Sequence, residues 1–254
     1  MSATLKRSLL VIALVSTLAS CAVVPPNSGD NPNDPWETFN RQTHAFNMTM
    51  DEYVLHPIAV GYSEYVPTPV QEGVDNFFSN LGEPGNMLNN FLQGKFKEGA
   101  VSLARFLINS TIGIAGLFDV ASHMSLEYSP EDFGETLGSW GVGSGPYVVW
   151  PFLGQSTVRD TVGIPVDWAT YPPTYYFWGE GDKTGYAIGL AALDAVNTRA
   201  KLLSTDAMLQ TALDPYVAVR EAYLQNRENQ VWDGNPPLTL MDDEFEDEEY
   251  DQQQ

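Results

Sequence analysis

The sequence predicts an all-α protein, a single domain of amphipathic helices joined by glycine-rich turns. Three observations carry that expectation. Apolar residues recur at three- and four-residue spacing in one segment after another. Proline and glycine mark the breaks between those segments, and no apolar run is long enough to cross a bilayer. The chain has 254 residues, 43% hydrophobic and 12% aromatic, which suffices for a folded body. Charged residues make up 18%, below the usual quarter, so part of the surface is expected to face something other than water.

Residues 1–20 read as an export signal, with Lys6-Arg7 as the basic start and Leu9 to Leu18 as a short apolar segment. Leu18-Ala19-Ser20-Cys21 resembles a bacterial lipobox, which makes Cys21, the only cysteine, the lipidated first residue of the mature chain. The mature protein can then hold no internal disulfide. Residues 21–33 form a tether rich in Pro, Asn and Gly. The body is expected over 34–232 and an acidic tail over 233–254, with eight acidic residues between Asp242 and Asp251.

In the body, Asp34, Pro35 and Glu37 predict a capped helix start. Trp36, Phe39, Phe46, Met50 and Tyr53 lie along one side of that helix and Asn40, Arg41, Asn47 and Asp51 along the other. Pro57 is expected to end it. Thr68-Pro69 opens a second helix, and a third, short one follows Pro84. Asn76, Asn80, Asn86, Asn89 and Asn90 accompany their aromatics, which suits a wet, uncharged interior or a lipid head-group region, and equally suits ordinary capping. Lys95 to Ile108 reads as a helix with Phe96, Ala100, Leu103, Ala104 and Leu107 on one side. Ile112 to Phe118, broken by Gly113 and Gly116, is either an interfacial turn or core.

The stretch from Asp132 to Asp167 is read as neither helix nor ordinary strand. Gly138, Gly141, Gly143 and Gly145 demand repeated turning, Tyr147 to Leu153 is a short apolar run, and Ser156 can cap a helix carrying Arg159-Asp160. Thr170 to Gly185 is a loop dense in aromatics, suited to a membrane-water boundary. Asp182 to Leu203 forms an Ala-rich helix. Asp214-Pro215 starts the last long helix, with Tyr216, Val219, Tyr223, Leu224 and Val231 on one face and Arg220, Arg227 and Glu228 on the other.

Catalytic chemistry is poorly represented. His44, His56 and His123 are the only histidines, too scattered for a zinc site, and no Gly-x-Ser-x-Gly elbow or phosphate-binding Gly-Lys-Ser/Thr is present. Neither a metal nor a cofactor is expected. The net charge of −21 argues against nucleic acid and against polybasic attraction to anionic lipid, leaving apolar contact as the route to a membrane.

DPWETFNR (Asp34 to Arg41), HPIAVGYSEYVPTPV, NFFSNL, NNFLQGK, RFLINSTIGIAGLFDVAS, DFGETLGSWGVGSGPYVVWPFLG and DPYVAVREAY occur in order between about residues 34 and 232. In these blocks the chain resembles the MlaA/VacJ family of outer-membrane lipoproteins. The resemblance implies a helical ring in the periplasmic leaflet of the outer membrane, anchored at Cys21, with a central amphipathic channel. Ala22, where an Asp commonly signals inner-membrane retention, agrees with that location. The channel would remove misplaced phospholipids from the outer leaflet and pass them to a soluble periplasmic carrier, with a trimeric porin supporting the ring and no enzymatic step. On the same resemblance, Asn40, Asn47, Asn76, Arg105, Asn109, Asp119 and Gly143 are expected at the channel or its lip. Arg105 with Asp119 and Arg159 with Asp160 read as buried ion pairs that fix the turns, with head-group binding as the alternative. A glycan-binding or glycan-processing lipoprotein and a purely structural envelope lipoprotein are the rival readings.

Overall fold

The computed structural model describes residues 25–177 and 183–237. Cys21, the signal segment, residues 178–182 with Trp178 and the acidic run from Asp242 lie outside the described residues.

The first helix, α1 (Glu37–Met50), passes through a π-helical turn (Asp51–Leu55) into α2 (His56–Tyr65). Pro57 therefore does not end a helix. It stands in the first turn of α2, directly after the π turn. Asp34 also has another task than the expected cap. Its carboxylate is fully buried and accepts hydrogen bonds from Asn40 Nδ2 (2.7 Å), the Tyr216 hydroxyl (2.5 Å) and Arg220 (2.9 Å), so it binds the start of the body to its last helix.

Helix α3 (Thr68–Leu92) begins at Thr68-Pro69 as expected but runs straight through Pro84, where a new start was expected. Next to Pro84, Glu83 is held by Arg105 of α4 (Phe96–Thr111) at 2.6 Å, and this neighbouring helix keeps the proline-containing turn in line. The two helices run antiparallel, with Asn80 against Ser110 at one end and Phe91 against Phe96 at the other. The loop 112–118 reverses direction with Ile114, Ala115 and Gly116 all at positive φ. A short α5 (Val120–His123), capped by Asp119, follows.

The central stretch contains more regular structure than expected. Asp132-Phe-Gly-Glu135 is a complete capping box that opens α6 (Phe133–Ser139). β1 (Tyr147–Trp150) and β2 (Gly154–Thr157) then pair antiparallel, Tyr147 opposite Thr157 and Trp150 opposite Gly154. Thr157, not Ser156, caps α7 (Val158–Thr170) by accepting the Asp160 N–H; Ser156 lies in β2. Short α8 (Pro172–Phe177), α9 (Thr184–Lys201), a 3-10 turn (Leu203–Thr205), α10 (Asp206–Thr211) and α11 (Pro215–Val231) complete the described fold. The protein is thus all-α with one small hairpin.

The direction in which the helices face is unusual for a water-soluble domain. On α1 the buried residues are Glu37, Asn40, Arg41, Thr43 and His44, while Trp36, Phe39 and Met48 are exposed. On α3 they include Asn80, Glu83, Asn86, Asn89 and Asn90, and on α4 Ser102, Arg105 and Asn109. Phe96, Leu103 and Leu107 of α4 point outward, as do Ile112 (67% exposed) and Phe118 (59%) in the following loop. That loop is therefore not core. The amphipathic stripes predicted from the sequence are present, but on α1 and α4 much of the polar stripe is the one that packs inward.

Candidate functional site

A cavity of about 1300 Å³ opens between α1 with its π turn, the tip of the β-hairpin, the end of α7, α8, α9 and α10. Its size exceeds the roughly 300–1,000 Å³ of ordinary small-molecule pockets. The wall is mainly apolar: Met48, Met50, Val54, Leu55, Phe152, Leu153, Trp168, Ile188, Leu190, Ala191, Leu202 and Leu209. Phe152 reaches the rim because it adopts a left-handed φ of 63° at the hairpin turn. Asn47 fixes that turn, donating to the Trp150 carbonyl (2.9 Å) and accepting the Phe152 N–H (2.9 Å).

One charged rung interrupts the wall. Arg199 of α9 forks onto Asp51 of the π turn (2.8 and 3.0 Å) and reaches Asp206 of α10 (3.0 Å), joining three elements. His56 Nε2 lies 3.4 Å from the same Asp206. Asp194, one turn up α9, has its pKa raised by burial, and together with burial its charge pushes Tyr171 up to about 12. His44 on the opposite side has its pKa lowered by burial, which favours the neutral ring.

Of the residues expected at a channel, Asn47 stands on this wall. Asn40 lies behind it, fully buried, donating to the Tyr147 carbonyl (3.0 Å) and accepting the Val149 N–H (2.8 Å), so that its side chain acts as a short extra strand beside β1. Arg105, Asn109 and Asp119 form one cluster away from the cavity. Arg105 donates to Glu83, to Asp119 (3.1 Å) and to the Leu126 carbonyl (2.6 Å), and Asn109 bridges Asp119 to the Ala121 N–H. Although burial opposes it, Ser122, Asn109 and Arg105 hold Asp119 down at about 2. Asn76 donates to the Leu117 carbonyl (3.4 Å) of the neighbouring loop. Gly143 lies in an exposed loop, and a Cβ there would meet nothing within 4 Å.

A second buried network holds the far side of the shell. Arg227 of α11 donates to Asp132 (2.8 and 3.0 Å), Glu135 (2.9 Å) and Asp160 (3.0 and 3.1 Å), while Arg159 also pairs with Asp160 (3.1 Å). Arg220 and Arg227, expected on the face of the last helix opposite its apolar stripe, are both buried. The sequence reading missed Asp194, Arg199 and Asp206 as wall residues. The available signal was the pair Asp194 and Arg199, which with the terminal Lys201 are the charged groups of an Ala-rich helix.

Fold and cavity define a class, a helical shell with polar seams between its helices and an apolar space enclosed by them. The chain belongs to the MlaA lipoprotein family, whose sequence profile matches residues 32–230. It is 39% identical over 229 residues, covering 88% of each chain, to the intermembrane phospholipid transport system lipoprotein MlaA of Shigella flexneri. The protein of that name in Escherichia coli (strain K12) is 37% identical over 235 residues, again at 88% of each chain, and that of Haemophilus influenzae 38% identical over 241 residues, at 91% and 93%. A solved chain described under "structural basis for maintenance of bacterial outer membrane lipid asymmetry" superposes with a TM-score of 0.69 at 40% identity, covering 78% of this chain and 98% of that one.

Proposed function

We propose that this lipoprotein carries phospholipid between membranes, taking misplaced molecules from the outer leaflet of the outer membrane and so maintaining its lipid asymmetry. The observation that carries this is the cavity of about 1300 Å³ with its mainly apolar wall, set in a shell that also exposes many large apolar side chains. A phospholipid exposes roughly 30 acyl methylenes, and at about 0.8 kcal/mol each their transfer into water costs on the order of 25 kcal/mol. A carrier must therefore offer an apolar interior that a lipid can enter without crossing water.

The outward apolar residues fit the same role. Phe96, Leu103, Leu107, Ile112, Ile114 and Phe118 lie on one helix and its following loop, and an apolar surface of this extent marks a site of membrane or protein contact. No helix among the described residues is long and apolar enough to cross a membrane. The shell accordingly sits within one leaflet, the periplasmic leaflet of the outer membrane, held there by acyl chains on Cys21. The lipid leaves to a soluble periplasmic carrier, and a trimeric porin steadies the shell from the side. No covalent chemistry is required, and the protein acts as a conduit without being an enzyme.

Native mass spectrometry of the lipoprotein released gently from membranes tests this. Phospholipid adducts of about one per protein are expected. Protein that never carries phospholipid, even after incubation with lipid in excess, contradicts the reading.

A further inference from the structure

Resting on the transport reading, we infer that the cavity prefers phospholipids whose head group carries an ammonium beside its phosphate, such as ethanolamine lipids, over those with a net negative charge, and that Asp194 receives the ammonium. The ionisable residues of the wall are Asp51, Asp194, Asp206, Arg199, His44 and Tyr171, and burial raises the Tyr171 pKa, which keeps its hydroxyl neutral. Three carboxylates thus stand against one guanidinium. Two of them, Asp51 and Asp206, are already bound to Arg199. Asp194 makes no hydrogen bond or ion pair among the described residues, although it is half-buried on α9 facing the cavity. The nearest lysine that influences it, Lys201, is engaged by Asp75 of α3.

Arg199 complements this unpaired carboxylate. Its Nε and Nη2 are taken up by Asp51 and Asp206, but its Nη1 is buried and has no hydrogen-bond partner. A buried donor left unpaired is costly, and Arg199 lines the cavity, where a phosphate oxygen would satisfy it. Asp194 and Arg199 lie five residues apart on one helix, about 7–8 Å along its axis, and both line the cavity, so the phosphate and the ammonium of one head group, each adding the length of its own hydrogen bond, bridge them. An anionic head group would satisfy Arg199 equally but would leave Asp194 unpaired and meet its repulsion as well as that of Asp51 and Asp206. In a cavity walled by apolar side chains such repulsion is weakly screened.

The test uses the full lipoprotein in detergent, saturated with an equimolar mixture of ethanolamine and glycerol phospholipids of identical acyl chains. Bound lipid is then extracted and quantified by class. Ethanolamine lipid should be enriched about three- to fivefold over the mixture, the factor that one partly solvated ion pair supplies. Asp194→Asn should return the bound ratio to that of the mixture, and Asp194→Glu should restore the enrichment. Wild-type protein that binds lipid in the ratio supplied overturns this inference alone. Enrichment that persists in Asp194→Asn removes Asp194 from it, and failure to bind either lipid overturns the transport reading together with it.

Discussion

Arg105 shows how a single residue holds this kind of interior together. Its guanidinium is nearly inaccessible, and Glu83, Asp119, Ser122 and the Leu126 carbonyl surround it, so each of its three nitrogens finds an acceptor. Replacing it with Met would leave Glu83 buried without a counter-charge, and burial already raises the Glu83 pKa. Loss of one partner from such a pair costs about 3–5 kcal/mol, and a denaturant melt of Arg105→Met against wild type should show a loss of that size. Asp167 offers a pH-dependent counterpart. Burial raises its pKa to about 6, opposed by the Phe133 N–H and reinforced by Asp132. The folded state therefore holds this proton to higher pH than the unfolded chain does, and the stability linked to it is present at pH 4 and lost as the pH rises through 6. Relative to Asp167→Asn, whose amide can still accept the Phe133 N–H, the wild type should lose on the order of 2 kcal/mol between pH 4 and 7, after allowance for partial exposure. Chemical denaturation at the two pH values measures that difference.

The elements are placed by close approaches that only glycine permits. Where α6 crosses α7, a Cβ on Gly163 would stand 2.8 Å from the Gly134 backbone nitrogen, and one on Gly134 would stand 2.5 Å from Asp160 Oδ1. Gly163→Ala must push the two helices apart and loosen the Asp132, Glu135, Asp160 and Arg227 network beside them. It should cost about 1–3 kcal/mol by thermal melting, whereas Gly143→Ala, with open space around it, should have little effect. The helices themselves were largely legible in the sequence because 3.6-residue periodicity does not depend on which stripe faces inward. Orientation was not legible for the same reason. Arg220 and Arg227 read only as the face opposite the apolar stripe, and both are buried because α6, α7 and the Asp34 turn bring carboxylates to meet them. Pro57 and Pro84 read as helix ends and are not, since Pro57 follows directly on the π turn and Pro84, inside a well-packed helix, is held by its neighbours. The capping box Asp132-Phe-Gly-Glu135 was visible in the sequence but was passed over among the glycines that follow it. Of the residues that the resemblance implies at a channel, Asn47 lines the cavity, whereas Asp51 reads as a polar-face residue and no motif in the sequence marks Asp194 and Asp206. Their convergence with Arg199 depends on α9, α10 and the π turn being brought together, which no local pattern encodes.

At the scale of the whole molecule, the distribution of polarity is the informative feature. Polar seams hold helix to helix, large apolar side chains cover much of the outside, and a second apolar surface lines the space within. In water this arrangement would be unfavourable, because exposed apolar area costs about 25 cal/mol per Å². In a lipid leaflet the outer surface is solvated by acyl chains, and the inner one can be filled by the lipid in transit. A large side chain placed on the wall, as in Ala191→Trp, should narrow the cavity and lower the detergent and EDTA resistance of a strain that depends on the variant, while its folding remains intact by circular dichroism. The most direct measurement is site-specific photo-crosslinking in cells. A photoreactive amino acid at Ala191, on the cavity wall, should capture phospholipid, whereas the same group at Gln225, on the exposed surface of α11, should not. Absence of a lipid adduct at Ala191, or equal adducts at both positions, would contradict passage of lipid through this cavity.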